Sequence, residues 1–256
     1  MQSKICIIYL VHGTDLEDFL ENSLLSLRSS GFSMDVIIYT SAEAISSVKD
    51  IAARYRADVS EIDSQEIKND AQYVPFGSYE FNAINLKKWE LVIETLKLGY
   101  ECVVFSDVDI AYTSDFSPYL LKAMNLYSCG LQSQNQDQFP PMYCTGFMFF
   151  TKGALNLLQE LKLKSVNFAA IGSEEHLFNT EVGKQPHLSK EILLLPEGLF
   201  QNGLYFQTYQ VHDFAALRGK LKPFMFHANF VIGLAAKREL LSAIGHWHLQ
   251  SEDLQT

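Results

Sequence analysis

Cys102-Val103-Val104-Phe105-Ser106-Asp107-Val108-Asp109 sets four apolar residues ahead of two acids that are separated by a single residue. A run this short and dense, bounded by polar groups, suits a strand buried on both faces of a sheet. In open α/β sheets the ligand crevice lies outside the carboxyl ends of the parallel strands, so Asp107 and Asp109 stand where ligands bind. Alternate residues of a strand share a face, roughly 6.6 Å apart along it, and both carboxylates are expected to point into one crevice. They repel each other there unless a cation or a hydrogen-bonding ligand lies between them, which makes Mg²⁺ or Mn²⁺ the natural companion. A chain of this length holds roughly one such triplet by accident; its place at a strand end is what gives it weight.

The elements before this stretch alternate. A strand is expected at Ile5–Leu10, then a helix from Asp15 to Ser30 with Leu16, Phe19, Leu20, Leu24 and Leu27 on one stripe and Gly31 as its C-terminal cap. Val36–Thr40 reads as a second strand, followed by a helix that Ser41 is placed to cap; Val59–Ile62 reads as a weaker third. After a polar loop, Ser64–Glu80, a long helix is expected over Phe81–Leu98, stopped by Gly99. This alternation predicts an α/β fold, Rossmann-like, with a mixed central sheet flanked by helices. Beyond Asp109 the pattern is less regular. A short helix opens at Ser117-Pro118, strands are expected at Leu126–Leu131 and Tyr143–Phe150, and helices at Ala154–Leu163, from Ser173, and at Ala235–Ile244 after the Phe224–Phe230 segment.

With 256 residues, 48% of them hydrophobic, the chain fits one compact domain. Residues 1–109 form the expected nucleotide-binding half and 110–256 the acceptor-binding half. The formal net charge of −10 argues against a nucleic-acid surface. Any anionic ligand must therefore be held locally, by a few lysines, backbone amides or a metal. Cys6, Cys102, Cys129 and Cys144 lack the paired spacing of a zinc or redox site and read as reduced, buried hydrophobes. The apolar run from Ile5 is too short to span a bilayer and reads as a buried strand, so the protein is expected to be cytoplasmic, with peripheral membrane association left open.

Gly99-Tyr100, a strand, and Ser106-Asp107-Val108-Asp109-Ile110 together resemble the core of the nucleotide-diphospho-sugar transferases with a DxD motif and a GT-A fold, in particular glycosyltransferase family 77, which includes plant xylosyltransferases acting on pectin. Lys88-Trp89, Thr145-Gly146-Phe147, Glu174-Glu175-His176-Leu177-Phe178-Asn179 and His227-Ala228-Asn229, with Gly233 and Lys237 beyond, resemble its further motifs in order.

The resemblance implies a metal-dependent transfer of a sugar from a UDP-sugar to a carbohydrate or other hydroxyl acceptor, with retention of anomeric configuration. It implies that Asp109 and His227 ligate Mn²⁺ or Mg²⁺, and that Asp107 contacts both the metal and the ribose. Val108, Gly233, Lys237 and Lys88 would border the nucleotide, and Thr145, Gly146 and Asn229 the sugar and acceptor. By itself His227 reads as a core histidine held by one backbone partner; Gly233 and Lys237 in order favour ligation. Lys237 beside Arg238 fits a solvated face as well as a phosphate contact. Glu174 and Glu175 depart from the family's Asp-Gln. Adjacent helical residues do not share a face, so one is expected in the crevice and the other turned away. Glu174 would hold hydroxyls and Glu175 would stabilise an oxocarbenium charge, unless both merely complement the helix N-terminus.

Leu10, Val11 and His12 at the end of the first strand and Thr40 at the end of the second are placed to meet base and ribose. Phe76–Tyr79, Gln132–Tyr143 and Phe200–Tyr209 are the expected acceptor loops. His246 and His248 complete no site and are left as surface or partner residues. Two rivals remain: a non-catalytic sugar-nucleotide or glycan-binding module, and a phosphohydrolase of the haloacid dehalogenase type. The latter usually carries its Asp-x-Asp on the first strand and a later acidic pair for Mg²⁺, whereas here the motif comes after three strands and no Asp-Asp pair follows.

Overall fold

Ile5, Ile7, Tyr9 and Val11 on one side of the first strand and Cys6 and Ile8 on the other join two separate hydrophobic clusters. The alternation means that the sheet is covered on both faces. A computed structural model describes residues 4–62, 74–135, 140–185, 187–188, 191–204 and 223–249. Its main sheet runs β3 (Asp58–Glu61), β2 (Asp35–Thr40), β1 (Ile5–Val11), β4 (Cys102–Ser106), β7 (Met142–Thr151), β6 (Cys129–Asn135) and β8 (Ile192–Leu195). β3, β2, β1 and β4 are parallel, and the direction reverses where β4 meets β7. A small second sheet, β5 (Ile110–Tyr112), β10 (Met225–His227) and β9 (Phe200–Gln201), begins directly after the acidic triplet. The α/β class and the mixed central sheet are as the sequence predicts.

One face is covered by α1 (Glu17–Ser29) and α2 (Ile45–Tyr55). The other carries α3 (Tyr79–Leu86), α4 (Lys88–Lys97), α6 (Leu155–Ser165) and α7 (Glu174–Lys184). The short α5 (Ser117–Ala123) starts, as expected, with Pro118 in its first turn. α8 (Leu234–Ala243) closes the described chain against the α1 side, where Trp247 meets Phe19 edge-on at 5.1 Å. Gly31 and Gly99 take the left-handed backbone just past α1 and α4, where a side chain would be strained. All four cysteines are buried and free. Among the described residues, no helix is long and apolar enough to cross a membrane.

Several boundaries differ from the sequence reading. The single helix expected over Phe81–Leu98 is two, because the N–H of Lys87 donates to the Ile84 carbonyl three residues back and tightens the path for one residue. Ser41 does not cap α2 with its side chain; its hydroxyl accepts from the Gly13 N–H at 3.4 Å and ties the ends of β1 and β2 together. The strand expected at Leu126–Leu131 begins at Cys129, since Leu126 lies in the turn after α5 and is 79% exposed. β5, β8 and β9 span three, four and two residues, too few to show a period.

Trp89 anchors the α4 side: fully buried, it stacks on Phe178 of α7 at 5.9 Å and meets Phe150 of β7 edge-on at 6.2 Å. Trp89→Ala is expected to cost about 3–5 kcal/mol of stability in urea unfolding; a loss under about 1 kcal/mol would show that α7 is not held through this ring.

Candidate metal and nucleotide-sugar site

The acidic triplet is not itself strand. β4 ends at Ser106, and residues 107–109 turn into β5, so it is the turn, and not the pleat, that brings the two carboxylates together. Three anchors fix it. The Asp107 N–H donates to the Gly146 carbonyl at 2.7 Å, the Ala228 N–H donates to the Asp109 carbonyl at 3.0 Å, and Ser106 Oγ donates to the Asp107 carbonyl at 3.0 Å while accepting from the Tyr112 hydroxyl at 2.7 Å. Val108, between the acids, is buried in the α1-side core.

β10 pairs antiparallel with β5, setting His227 opposite Ile110. That register delivers the ring to the turn: Nε2 lies 3.2 Å from Asp109 Oδ1 and 3.8 Å from Asp107 Oδ2. One ligand atom from each of Asp107, Asp109 and His227 falls within 4.8 Å of the others. The space they share depends on a glycine. A Cβ on Gly146 would lie 2.2 Å from His227 Cε1 and 2.6 Å from Asp107 Oδ2. Gly146 reaches this place because the β6–β7 register slips. Leu131 pairs with Met148 and Gln132 already with Cys144, which leaves Thr145, Gly146 and Phe147 over on β7.

Lys88, 2% exposed at the start of α4, donates to Asp107 Oδ1 at 3.0 Å and to Glu174 Oε1 at 2.7 Å. Lys237 of α8 reaches Asp109 Oδ2 at 2.5 Å. Burial alone would push the Asp109 carboxyl up, but the Lys237 ammonium and His227 hold it well below the usual carboxylate range. Asp107 goes the other way: burial raises it, and the Lys88 ammonium only partly offsets this against the charge of Asp109. Burial opposes the charge on Lys88, yet Asp107 and Glu174 together raise its pKa above the ordinary lysine value. The solvated-face alternative for Lys237 is thus set aside.

Glu174 and Glu175 do not point apart. Thr145 binds both, its hydroxyl donating to Glu174 Oε1 at 2.9 Å and its N–H to Glu175 Oε2 at 3.4 Å. At the first turn of α7, whose N-cap Ser173 accepts from the His176 N–H, the bulged β7 segment lies close enough to draw in both side chains. Glu174 Oε2 is buried and, among the described residues, has no partner. Glu175 also accepts from Gln134 Nε2, and burial followed by the charge of Glu174 pushes its pKa up to about 7.

Of the other expected site residues, Leu10 and Val11 end β1, His12 follows it out of the sheet, and Thr40 ends β2 beside Val11. His12 Nδ1 and Thr40 Oγ1 are both buried without a partner among the described residues. Gly233 stands at the head of α8. Asn229 turns its Oδ1 to the Gly203 N–H at 2.6 Å and its Nδ2 to Cys144 Sγ at 3.5 Å. Phe76 and Tyr79 are exposed. Residues 136–139 and 205–209 of the expected acceptor loops lie outside the described residues. Gln132 belongs to no loop: it is a fully buried β6 residue facing His227. Gln134 and Gly203 fall within the expected acceptor segments, but no motif singles them out. His246 stacks on Phe226 at 4.3 Å, which gives it a packing role.

Residues 42–241 match the family model described as nucleotide-diphospho-sugar transferase. A UDP-galactose:fucoside alpha-3-galactosyltransferase of Dictyostelium discoideum is 23% identical over 201 residues, 70% of this chain and 30% of that protein; the match thus spans less than a third of the relative's length. Among solved structures, galactosyltransferase LgtC in complex with donor and acceptor sugar analogs superposes with a TM-score of 0.61 at 9% identity, over 98% of this chain and 99% of that one. Mouse xyloside xylosyltransferase 1 in its apo form gives 0.58 at 10% identity, over 90% and 99%. At these identities the likeness is one of fold.

Two outcomes are expected at the site. Gly146→Ala should leave the fold intact but force His227 and Asp107 apart, weakening Mn²⁺ binding about tenfold or more in an isothermal titration; unchanged affinity would mean that the ring can yield. Glu175 takes up its proton more readily folded than unfolded, so it costs stability progressively as pH rises from the ordinary carboxylate value through about 7. Glu175→Gln should therefore stabilise the protein at pH 8 by on the order of 1 kcal/mol and leave it unchanged at pH 4; a gain that is equal at both pH values would contradict the raised pKa.

Proposed function

Given that the chain belongs to the nucleotide-diphospho-sugar transferase family, we propose that it is a metal-dependent enzyme moving a hexose or pentose from a UDP-sugar to a hydroxyl acceptor. Family membership makes it a glycosyltransferase and sets aside the phosphohydrolase alternative. The observation that carries the metal dependence is the convergence of Asp107, Asp109 and His227 on one space that a single Cβ at Gly146 would fill. Two carboxylates and one imidazole form an oxygen-rich donor set with positions left for phosphate oxygens, which fits Mn²⁺ or Mg²⁺ better than tetrahedral zinc. A cation held there would supply Lewis-acid stabilisation of the diphosphate as it leaves.

The chain's own groups do the rest. Lys237 keeps Asp109 ionised and so ready to ligate. Lys88 holds Asp107 and Glu174 in fixed relation, which sets the spacing between the phosphate end of the site and its sugar end. Glu174 Oε2, buried and without a partner among the described residues, is an acceptor suited to a sugar hydroxyl. Glu175 sits beside it with its pKa near 7, and as a carboxylate it would stabilise positive charge developing at the anomeric carbon while the acceptor approaches on the leaving-group side, giving retention. His12 Nδ1 and Thr40 Oγ1, without partners among the described residues at the ends of β1 and β2, are the groups offered to base and ribose. The UDP-galactose donor named for the Dictyostelium relative supports the choice of UDP, and the narrower kinship proposed is with the pectin xylosyltransferase-like group.

UDP release from a panel of UDP-sugars tests this reading. It should require Mn²⁺ or Mg²⁺, stop with EDTA, and fall about a hundredfold or more in Asp109→Ala and His227→Ala. Binding of UDP-sugars with no release of UDP by the wild type, with or without acceptor sugars, would favour the non-catalytic module; no binding at all would remove the donor assignment.

A further inference from the structure

We propose that Gln132 is a positioning residue for the metal site, fixing a proton on His227 Nδ1 so that Nε2, the nitrogen turned to the carboxylates, is the one that ligates a metal. The proposal rests on the metal-dependent reading above and concerns how the third ligand is prepared.

The argument is one of counting hydrogens. Gln132 is fully buried, and both N–H bonds of its amide are committed: Nε2 donates to the Phe200 carbonyl at 3.0 Å and to the Gln201 carbonyl at 3.0 Å. The opposite orientation would set Oε1 against two carbonyl oxygens, so the backbone of β9 decides which way the amide points. That leaves Oε1, an acceptor only, 2.8 Å from His227 Nδ1. Nδ1 must therefore be the donor. With its proton fixed there, the lone pair available for a metal is on Nε2, the nitrogen 3.2 Å from Asp109 Oδ1 and 3.8 Å from Asp107 Oδ2.

The backbone is arranged to make this contact. β9 pairs in parallel with β10, Phe200 opposite Met225 and Gln201 opposite Phe226. The carbonyls that orient Gln132 thus belong to the strand beside the one that carries His227, and the contacts close into a ring. Gln132 itself sits at the register slip between β6 and β7, a kind of irregularity that re-aims a side chain. The residue type also fits. A carboxylate would orient the imidazole equally well, but Asp107, Asp109, Glu174 and Glu175 already gather here, and an amide gives the orientation without a further charge.

Two variants separate orientation from packing. Gln132→Met keeps the length but removes the acceptor and both donations. Gln132→Glu removes the same two donations and keeps the acceptor. The probe is Mn²⁺ alone, read by its affinity and by the ¹⁴N coupling that pulsed electron paramagnetic resonance detects from a ligating imidazole, with His227→Ala as the reference lacking it. The expected result is a loss of affinity of about ten- to a hundredfold and of the ¹⁴N coupling in Gln132→Met, with the coupling retained in Gln132→Glu. Added negative charge alone could tighten Mn²⁺ binding but would not restore nitrogen coupling. Wild-type affinity and coupling in Gln132→Met would overturn the role of Gln132 and leave the metal site standing; no Mn²⁺ binding by the wild type would overturn both. Should Gln132→Met fail to fold, long-range ¹H–¹⁵N correlation on the wild type decides: a proton on His227 Nδ1 is expected, and a bare Nδ1 overturns the proposal.

Discussion

Buried carboxylates set beside one another are unfavourable unless each meets a cation, and this constraint organises the molecule around the turn after β4. Asp107, Asp109, Glu174 and Glu175 come from two ends of the fold, and Lys88 and Lys237 from two helices interleave with them. Lys88 is shared by Asp107 and Glu174, so it cannot fully compensate either. Burial raises the pKa of Asp107 and of Glu175, while Asp109, paired with Lys237 and His227, is held low. One strongly ionised acid beside groups that ionise reluctantly is a state that an added divalent cation stabilises. In a chain of net charge −10, an anionic diphosphate is best received at such a point.

The backbone around the site is irregular where the chemistry needs it to be. The three residues left over on β7 carry Thr145 to Glu174 and Glu175 and Gly146 to His227. β5 leaves the turn in the direction that β10 needs to return His227 beside it. The parallel half, β3-β2-β1-β4, gives the ends where His12 Nδ1 and Thr40 Oγ1 have no partner among the described residues.

Much of this was legible in the sequence because it depends on long periodic elements. The strand at Cys102–Ser106, the helices over Glu17–Ser29 and Leu234–Ala243, and the acids after β4 follow from apolar spacing and caps. The resemblance in ordered motifs brought in Lys88, Thr145, Gly146, His227 and Lys237, which the structure gathers around the same turn. The rest depends on tertiary contacts that leave no local trace. A bulge in β7 cannot be read from Thr145-Gly146-Phe147, so the inward turn of both Glu174 and Glu175 was missed. Gln132 looked like the start of a loop because its partners, Phe200, Gln201 and His227, lie far along the chain. The convergence of Asp107 and Asp109 was anticipated, but through strand pleating, whereas a turn anchored by Gly146 and Ala228 produces it.

The central claim is that Asp107, Asp109 and His227 together hold the cation that receives the diphosphate. Anomalous diffraction at the manganese edge, from crystals grown with Mn²⁺ and UDP, tests it most directly. The account predicts one strong peak bonded to both carboxylates and to His227 Nε2, with the UDP phosphates completing its coordination. Manganese elsewhere in the molecule, or UDP seated in the crevice with no metal against these three residues, would contradict it.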